Sequence, residues 1–467
     1  MKYRSTRGNT EFTFLEVLLQ GLAPDGGLFV PQYYPAIGHI LEEMRGWSYW
    51  KVAEYIIGLF VGLDMTSKEI QKIVRTTYAR KKFGRDIVPI KDLGNRMALL
   101  GLSEGPTSAF KDMALQLLGS LMEHALDKEG RTLNLLGATS GDTGSAAEES
   151  IRGRRGMNIF MLSPSGERMT PIQRAQMWTI NAPNVHNLVA DADFGTLQDA
   201  VKLVNGDAEF KAEFYIGAVN SINWARIMAQ TVYWVYGYLK MTKPGEKLTV
   251  SIPSGNFGNA LSAYIAYRMG VLLRIVVATN ENDVLHNFFS DGVYRPQEDV
   301  VTTLSPSMDI KTASNLERFI FDMVTRSPDK MRDLLGQLRV NGSFDIEFFS
   351  RQPFCPEFRT GRATDQEVLQ TMHKVYQRFR YLVDPHTAVA MKVVEDLGFE
   401  GEGPVLIAET ALPVKFEEAV RRATGRQIEI PERLQAMCWK PWEIHEINGS
   451  DPAKIAEAVK AYIRSHA

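Results

Sequence analysis

The segment Gly105-Pro106-Thr107-Ser108-Ala109-Phe110-Lys111-Asp112 opens a helical pattern and carries a lysine suited to chemistry. Ala114, Leu115 and Leu118 follow Lys111 at i+3, i+4 and i+7, which aims Lys111 toward the packed side. Asp112 shares a polar face with Gln116, Ser120 and Glu123, so that spacing leaves the aspartate outside. Desolvation disfavours an ammonium and lowers its pKa. A neutral amine is what a Schiff-base nucleophile requires. Taken alone, the pattern is better explained by a surface lysine whose stem lies along apolar neighbours.

A second segment, Ser254-Gly255-Asn256-Phe257-Gly258-Asn259, joins an apolar run to a helical pattern. Glycine permits positive φ and asparagine tolerates it, so Gly255 and Gly258 are expected to turn the backbone. Successive N–H groups at a helix start then converge on an anion. The spacing is neither that of a dinucleotide loop nor that of a P-loop, which leaves a monophosphate. A plain glycine-rich turn explains the segment equally well by itself. In Thr139-Ser140-Gly141-Asp142-Thr143-Gly144, hydroxyls and N–H groups at a helix start suit a carboxylate. An ordinary N-cap by Asp142 or Thr143 is the alternative. In Asn220-Ser221-Ile222-Asn223-Trp224-Ala225-Arg226, at the head of a long helical pattern, Ser221 and Arg226 would bracket an anion. By itself Arg226 reads as a solvated arginine.

The eight histidines are scattered, with no HExxH and no His/Cys cluster, so no metal site is expected. His386, in Asp384-Pro385-His386-Thr387, reads as a capping or packing residue. No GxSxG elbow occurs.

Elements must position these groups. From about residue 85, short apolar runs end in Gly/Ser/Thr/Asn loops that each open a helix. The runs are Leu133 to Leu136, Ile159 to Leu162, Leu248 to Ile252, Ile275 to Ala278 and Val405 to Ala408. Repeated strand–loop–helix units predict an α/β fold with parallel sheets, whose ligands sit at the carboxyl ends of strands. The first 80 residues or so read as mostly helical, with helices over Trp50 to Leu63 and Ser67 to Tyr78. Before them, the turn Pro24-Asp25-Gly26-Gly27 leads into the strand-like Leu28-Phe29-Val30. Residues 325 to 380 are helical and charged.

Composition bounds the class. The chain has 467 residues, 45% of them hydrophobic, enough for two to four domains at roughly 100–200 residues each. Lys and Arg total 53 against 55 Asp and Glu, so no global field favours nucleic acid or an anionic membrane. The two cysteines, Cys355 and Cys438, make no disulfide framework and no zinc spacing. The N-terminal stretch MKYRSTRGNTEFTF lacks an apolar run of signal-peptide length, and no membrane-spanning run occurs. The expectation is a cytoplasmic protein that binds neither nucleic acid nor membrane.

Taken together and in order, these segments resemble the threonine synthase family, in its longer bacterial and fungal form. Further matching stretches are YRSTRG, GLAPDGGLFVP, ATNENDVL, SPSMDI with SNLERF, DPHTAVA and ETALPVKF. The resemblance covers nearly the whole chain. It implies a tryptophan-synthase-β-like fold (fold type II) that binds pyridoxal 5'-phosphate (PLP) in a cleft of two open twisted sheets flanked by helices. The implied domains are 1–85 at the N-terminus, 86–109 with 221–467 as the large PLP-binding domain, and 110–220 as the small substrate domain.

The resemblance also implies residue roles. Lys111 would carry PLP as a Schiff base. Ser254, Gly255, Asn256, Phe257, Gly258 and Asn259 would hold the cofactor phosphate. Thr410 would face the pyridine nitrogen and leave it mostly unprotonated. Asp142 stands where shorter relatives place an asparagine against the ring O3′. A carboxylate only accepts hydrogen bonds, so either O3′ is protonated or that contact is rearranged. Ser140 and Thr143 would bind the substrate carboxylate, and Asn220, Ser221 and Arg226 its phosphate. The implied reaction converts O-phospho-L-homoserine and water to L-threonine and phosphate. A phospho-lyase that releases 2-oxobutyrate shares the first steps, and a catalytically inactive PLP-fold binding protein would retain the loops. No effector domain for S-adenosylmethionine is visible, and the oligomeric state is open.

Overall fold

The expected strands form as Leu133–Ala138, Met157–Pro164, Leu248–Pro253, Leu273–Thr279 and Val405–Glu409. Nearly every residue in them is buried, which is why they read as continuous apolar runs rather than alternating ones. The computed structural model describes residues 1–139, 141–165, 169–218, 221–346, 357–399 and 402–467. Their contacts group them into two units.

The larger unit comprises Met1–Val17, Leu22–Glu104 and Ser221–Ile428. Its six-stranded sheet runs Phe358–Arg362, Leu273–Thr279, Leu248–Pro253, Val405–Glu409, Met97–Gly101, Ile90–Asp92. All neighbours are parallel except the last pair. The helix Pro385–Leu397 seals one face through Val389, Val393 and Val394, over Val276 and Ile407. At the N-terminus, Tyr3–Ser5, Glu11–Phe12 and Phe29–Pro31 make a three-stranded antiparallel sheet. The Tyr3 hydroxyl donates to the Phe60 carbonyl at 2.7 Å and accepts from Trp224 Nε1 at 3.1 Å. The expected helices appear as Tyr49–Val61 and Ser67–Thr77, the second closed by a Thr66/Glu69 capping box.

The smaller unit comprises Leu18–Gly21, Gly105–Asn220 and Glu429–Ala467. Its five parallel strands are ordered His445–Glu446, Val185–Ala190, Met157–Pro164, Leu133–Ala138, Ile216–Ala218. Two groupings differ from the sequence expectation. Residues 1–17 and 22–85 group with the larger unit because their strands and helices pack on it through contacts such as Tyr3–Trp224. Residues 429–467 group with the smaller one. There Ile455, Val459 and Ile463 of the helix Pro452–His466 join the core of Leu197, Ala200 and Val204.

The helix Lys111–Glu129 corrects the face assignment made from spacing. It is buried nearly all round at its start, and Asp112, Gln116 and Ser120 are as enclosed as the leucines. Asp112 accepts from the Thr107 N–H at 2.7 Å and from its hydroxyl at 2.9 Å. Those two bonds satisfy a buried carboxylate, so the polar stripe needs no solvent.

Candidate active site

In the smaller unit, Lys111 is the first residue of its helix, and its side chain is 12% exposed. Its Nζ lies 4.0 Å from Asp142 Oδ2. Asp142 starts the helix Asp142–Ile151, where a carboxylate complements the dipole. The cap is Gly141 and makes no side-chain bond, so neither Asp142 nor Thr143 is the N-cap. Thr139 shapes the turn instead: its hydroxyl accepts from Gly141 N–H at 3.1 Å and Gly144 N–H at 3.0 Å. Thr143 is partly exposed. Ser140 lies outside the described residues.

Spacing gave no role to Gln173. Its Nε2 donates to Asp142 Oδ1 at 3.3 Å, while its Oε1 accepts from the Thr170 N–H at 3.1 Å. The reciprocal Thr170/Gln173 capping box of the helix Pro171–Trp178 therefore aims an amide at Asp142. A Cβ on Gly141 would sit 2.5 Å from Gln173 Nε2, which is why glycine stands there. The T-x-x-Q spacing is the signal that would have found Gln173.

In the larger unit, Ser251 pairs with Ile407, and three residues further along each chain stand Ser254 and Thr410. Both are buried. Beyond Ser254 the loop enters the helix Gly258–Arg268, which has no side-chain cap, so its first N–H groups are open to a ligand. Positive φ falls on Phe257, at 62°, and on neither Gly255 nor Gly258. That conformation costs a phenylalanine of order 1–3 kcal/mol. Its ring is held against Phe289 and Phe319 at 5.5 and 5.8 Å between centroids. The glycine at 255 answers to space: a Cβ there would lie 3.0 Å from Met308 Cα. Ser254 Oγ and Asn259 Nδ2 are buried without a partner among the described residues. His386 braces the wall behind Gly255. Its Nε2 accepts from the Ser307 N–H at 3.2 Å, and its Nδ1 meets Asp384 at 2.8 Å.

Thr410 follows Glu409, which is fully buried and paired with Lys91, and which accepts from the Tyr381 hydroxyl at 2.5 Å. Burial opposes the charge on Lys91, yet Glu409 and Tyr381 together push its pKa up.

Arg226 stands in the first turn of the helix Trp224–Met241 and is 5% exposed. Asn223 caps that helix, accepting from the Ala225 N–H at 3.0 Å, so Ser221 lies in the turn before it rather than on it. Arg226 Nε and Nη1 have no hydrogen-bond partner among the described residues. Desolvation lowers its pKa to about 10, which leaves it charged at neutral pH. Asn220 lies outside the described residues. Among the described residues, no three His, Cys, Asp or Glu side chains are grouped to hold a metal ion. No described helix is long and apolar enough to cross a membrane.

Parallel sheets with glycine-containing loops at their carboxyl ends, and a near-buried lysine at a helix start, fit one class of fold. It is that of fold type II PLP enzymes. The chain belongs to the threonine synthase family. Family models for the threonine synthase N terminus and for "Threonine synthase, C-terminal" match residues 2–78 and 387–463. Threonine synthase of Corynebacterium glutamicum is 44% identical over 99% of this chain and 98% of its own length. That of Saccharomyces cerevisiae is 32% identical over 98% and 97%. The crystal structure of PLP-bound threonine synthase from Brucella melitensis superposes with a TM-score of 0.94 at 36% identity, covering 100% of this chain and 99% of that one.

Proposed function

We propose that the chain converts O-phospho-L-homoserine and water to L-threonine and phosphate, with PLP as cofactor. The observation that carries this reading is Arg226, a buried cation with two nitrogens unpartnered among the described residues, which suits a visiting phosphate. The cofactor fits the remaining groups. Ser254 Oγ and Asn259 Nδ2 are buried without partners among the described residues, and the loop packs tightly on the Ser307–Met308 backbone, where a Cβ at position 255 would not fit. Together with Asn256, Phe257 and Gly258 they would hold its phosphate. Thr410 would meet the ring nitrogen with a neutral hydroxyl. Bound PLP supplies an electron sink for a carbanion beside the substrate amine.

This chain's residues do the rest. Lys111 would anchor the cofactor through Nζ and, as a free amine, would be a tethered base beside the substrate. It takes the Cα proton and serves the later proton transfers at Cβ and Cγ. Asp142, 4.0 Å from Nζ, steadies the ammonium form, and Gln173 keeps that carboxylate in place. Ser140 and Thr143 bind the substrate carboxylate. Asn220, Ser221 and Arg226 bind its phosphate, whose charge grows as the Cγ–O bond breaks and the buried guanidinium counters it. Water adds at Cβ after phosphate is expelled. The near-neutral charge balance and paucity of cysteine favour a cytoplasmic setting.

The test of the lysine is spectroscopic. Holoenzyme is expected to show the visible band of a lysine-linked cofactor, and Lys111→Ala to lose both band and turnover while remaining folded. A band that survives the substitution would assign the linkage to another residue.

A further inference from the structure

Two segments carry the proposed anion chemistry of the larger unit, the 254–259 loop and the 221–226 segment, and Asn315 with Arg318 ties them together, the loop through the Asn315 backbone and the 221–222 turn through both side chains. Asn315 immediately precedes the helix Leu316–Met323 without capping it, and Arg318 lies in its first turn. The Asn315 backbone N–H donates to the Asn256 carbonyl at 3.1 Å. Its side-chain Nδ2 donates to the Ser221 carbonyl at 3.2 Å. A Cβ on Gly258 would stand 3.3 Å from that same Nδ2, so loop and asparagine are in close contact.

Arg318 is fully buried and spends its guanidinium on neutral oxygens. Nη1 donates to Asn315 Oδ1 at 2.6 Å, Nη2 to the Ile222 carbonyl, and Nε to the Phe29 carbonyl at 2.8 Å. The neighbouring Glu317 is engaged elsewhere, by Arg7 at 2.7 Å and by the Thr6 hydroxyl. A buried arginine without a carboxylate against it is a poor stabiliser compared with a hydrophobic residue of similar volume. What it offers is a rigid planar fork that fixes three acceptors at once, which a lysine does not reproduce.

We propose that Asn315 and Arg318 are positioning residues that hold the cofactor-phosphate loop and the substrate-phosphate segment in one fixed register. The N-terminal strand Phe29–Pro31 is the third anchor, through the Phe29 carbonyl. The two segments are thereby set as a pair: a ligand phosphate that orders one favours the bound geometry of the other. This rests on the roles given above to the 254–259 loop and to Arg226.

The test compares Asn315→Ala and Arg318→Lys with wild type in three readouts: PLP dissociation constant, KM for O-phospho-L-homoserine, and dissociation constant for L-threonine, which lacks a phosphate. Both variants are expected to weaken PLP and raise KM by roughly tenfold, the scale of one lost buried hydrogen bond. The threonine constant and kcat are expected to change far less. Equal changes for phosphate-bearing and phosphate-free ligands, or no change in either, would overturn the proposal. Either variant that folds suffices. Should neither fold, wild-type holoenzyme decides: inorganic phosphate slows PLP release if the segments are coupled, and a rate indifferent to phosphate overturns the coupling. Ser254→Ala and Arg226→Gln, measured alongside, separate the two levels. Unchanged PLP affinity and KM there would refute the roles of the segments themselves, whatever the bracket does.

Discussion

A nearly buried guanidinium with no carboxylate against it among the described residues, as at Arg226, is stable only at a cost that a bound anion relieves. Two effects of Arg226→Met follow, with opposite signs. In phosphate-free buffer the variant should unfold at a higher temperature than wild type, because an uncompensated buried charge is gone. Its KM for O-phospho-L-homoserine should rise at least about tenfold, as expected when a charged hydrogen bond is lost. Inorganic phosphate should raise the melting temperature of wild type and not of the variant. A variant that melts lower and binds substrate normally would show Arg226 to be structural. At this scale residue types were legible and their surroundings were not. The motif pointed to Lys111, but helical spacing put Asp112 on the wrong face, because a buried polar stripe and an exposed one look alike in sequence. Gly255 and Gly258 were expected to supply positive φ. The loop places it on Phe257, where an aromatic cluster that the local sequence does not reveal holds the strain.

Elements show what periodicity can and cannot reveal. The buried parallel strands and their following helices were evident because continuous apolar runs end in turn residues. The strand Phe358–Arg362, FRTGR, was not, since it is an edge strand with only partial burial and its residues read as a loop. The helix Asp142–Ile151 carries an unsuspected acid, Glu148, fully buried with both carboxyl oxygens unpartnered among the described residues. Burial, and then the nearby Glu149, raise its pKa well above the carboxylate range. The folded state therefore keeps a proton that the unfolded chain releases above about pH 4.3. Unfolding then releases protons, so stability falls as pH rises beyond that point, by up to about 1.4 kcal/mol per pH unit. Glu148→Gln removes this slope. Urea unfolding at pH 5 and pH 8 should show the variant gaining on wild type at the higher pH. A constant difference between the two pH values would contradict the buried, protonated carboxyl.

Across the whole molecule, Lys111 and Asp142 belong to one unit, and the 254–259 loop, Thr410 and Arg226 to the other. Composition and charge gave no global electrostatic reason to bind nucleic acid or an anionic membrane, and said nothing about how distant segments join. The grouping of 429–467 with 105–220 depends on the C-terminal helix, whose amphipathic pattern does not say which core it completes. The fate of the substrate once phosphate has left separates a synthase from a lyase. A phospho-lyase would use the same lysine, the same anion loops and the same first proton transfers, so the products decide. Phosphate, L-threonine and 2-oxobutyrate should be quantified together in one reaction of PLP-loaded protein with O-phospho-L-homoserine. Phosphate and L-threonine are expected in equal amounts with little 2-oxobutyrate. Phosphate matched by 2-oxobutyrate, or no phosphate at all, would contradict a synthase.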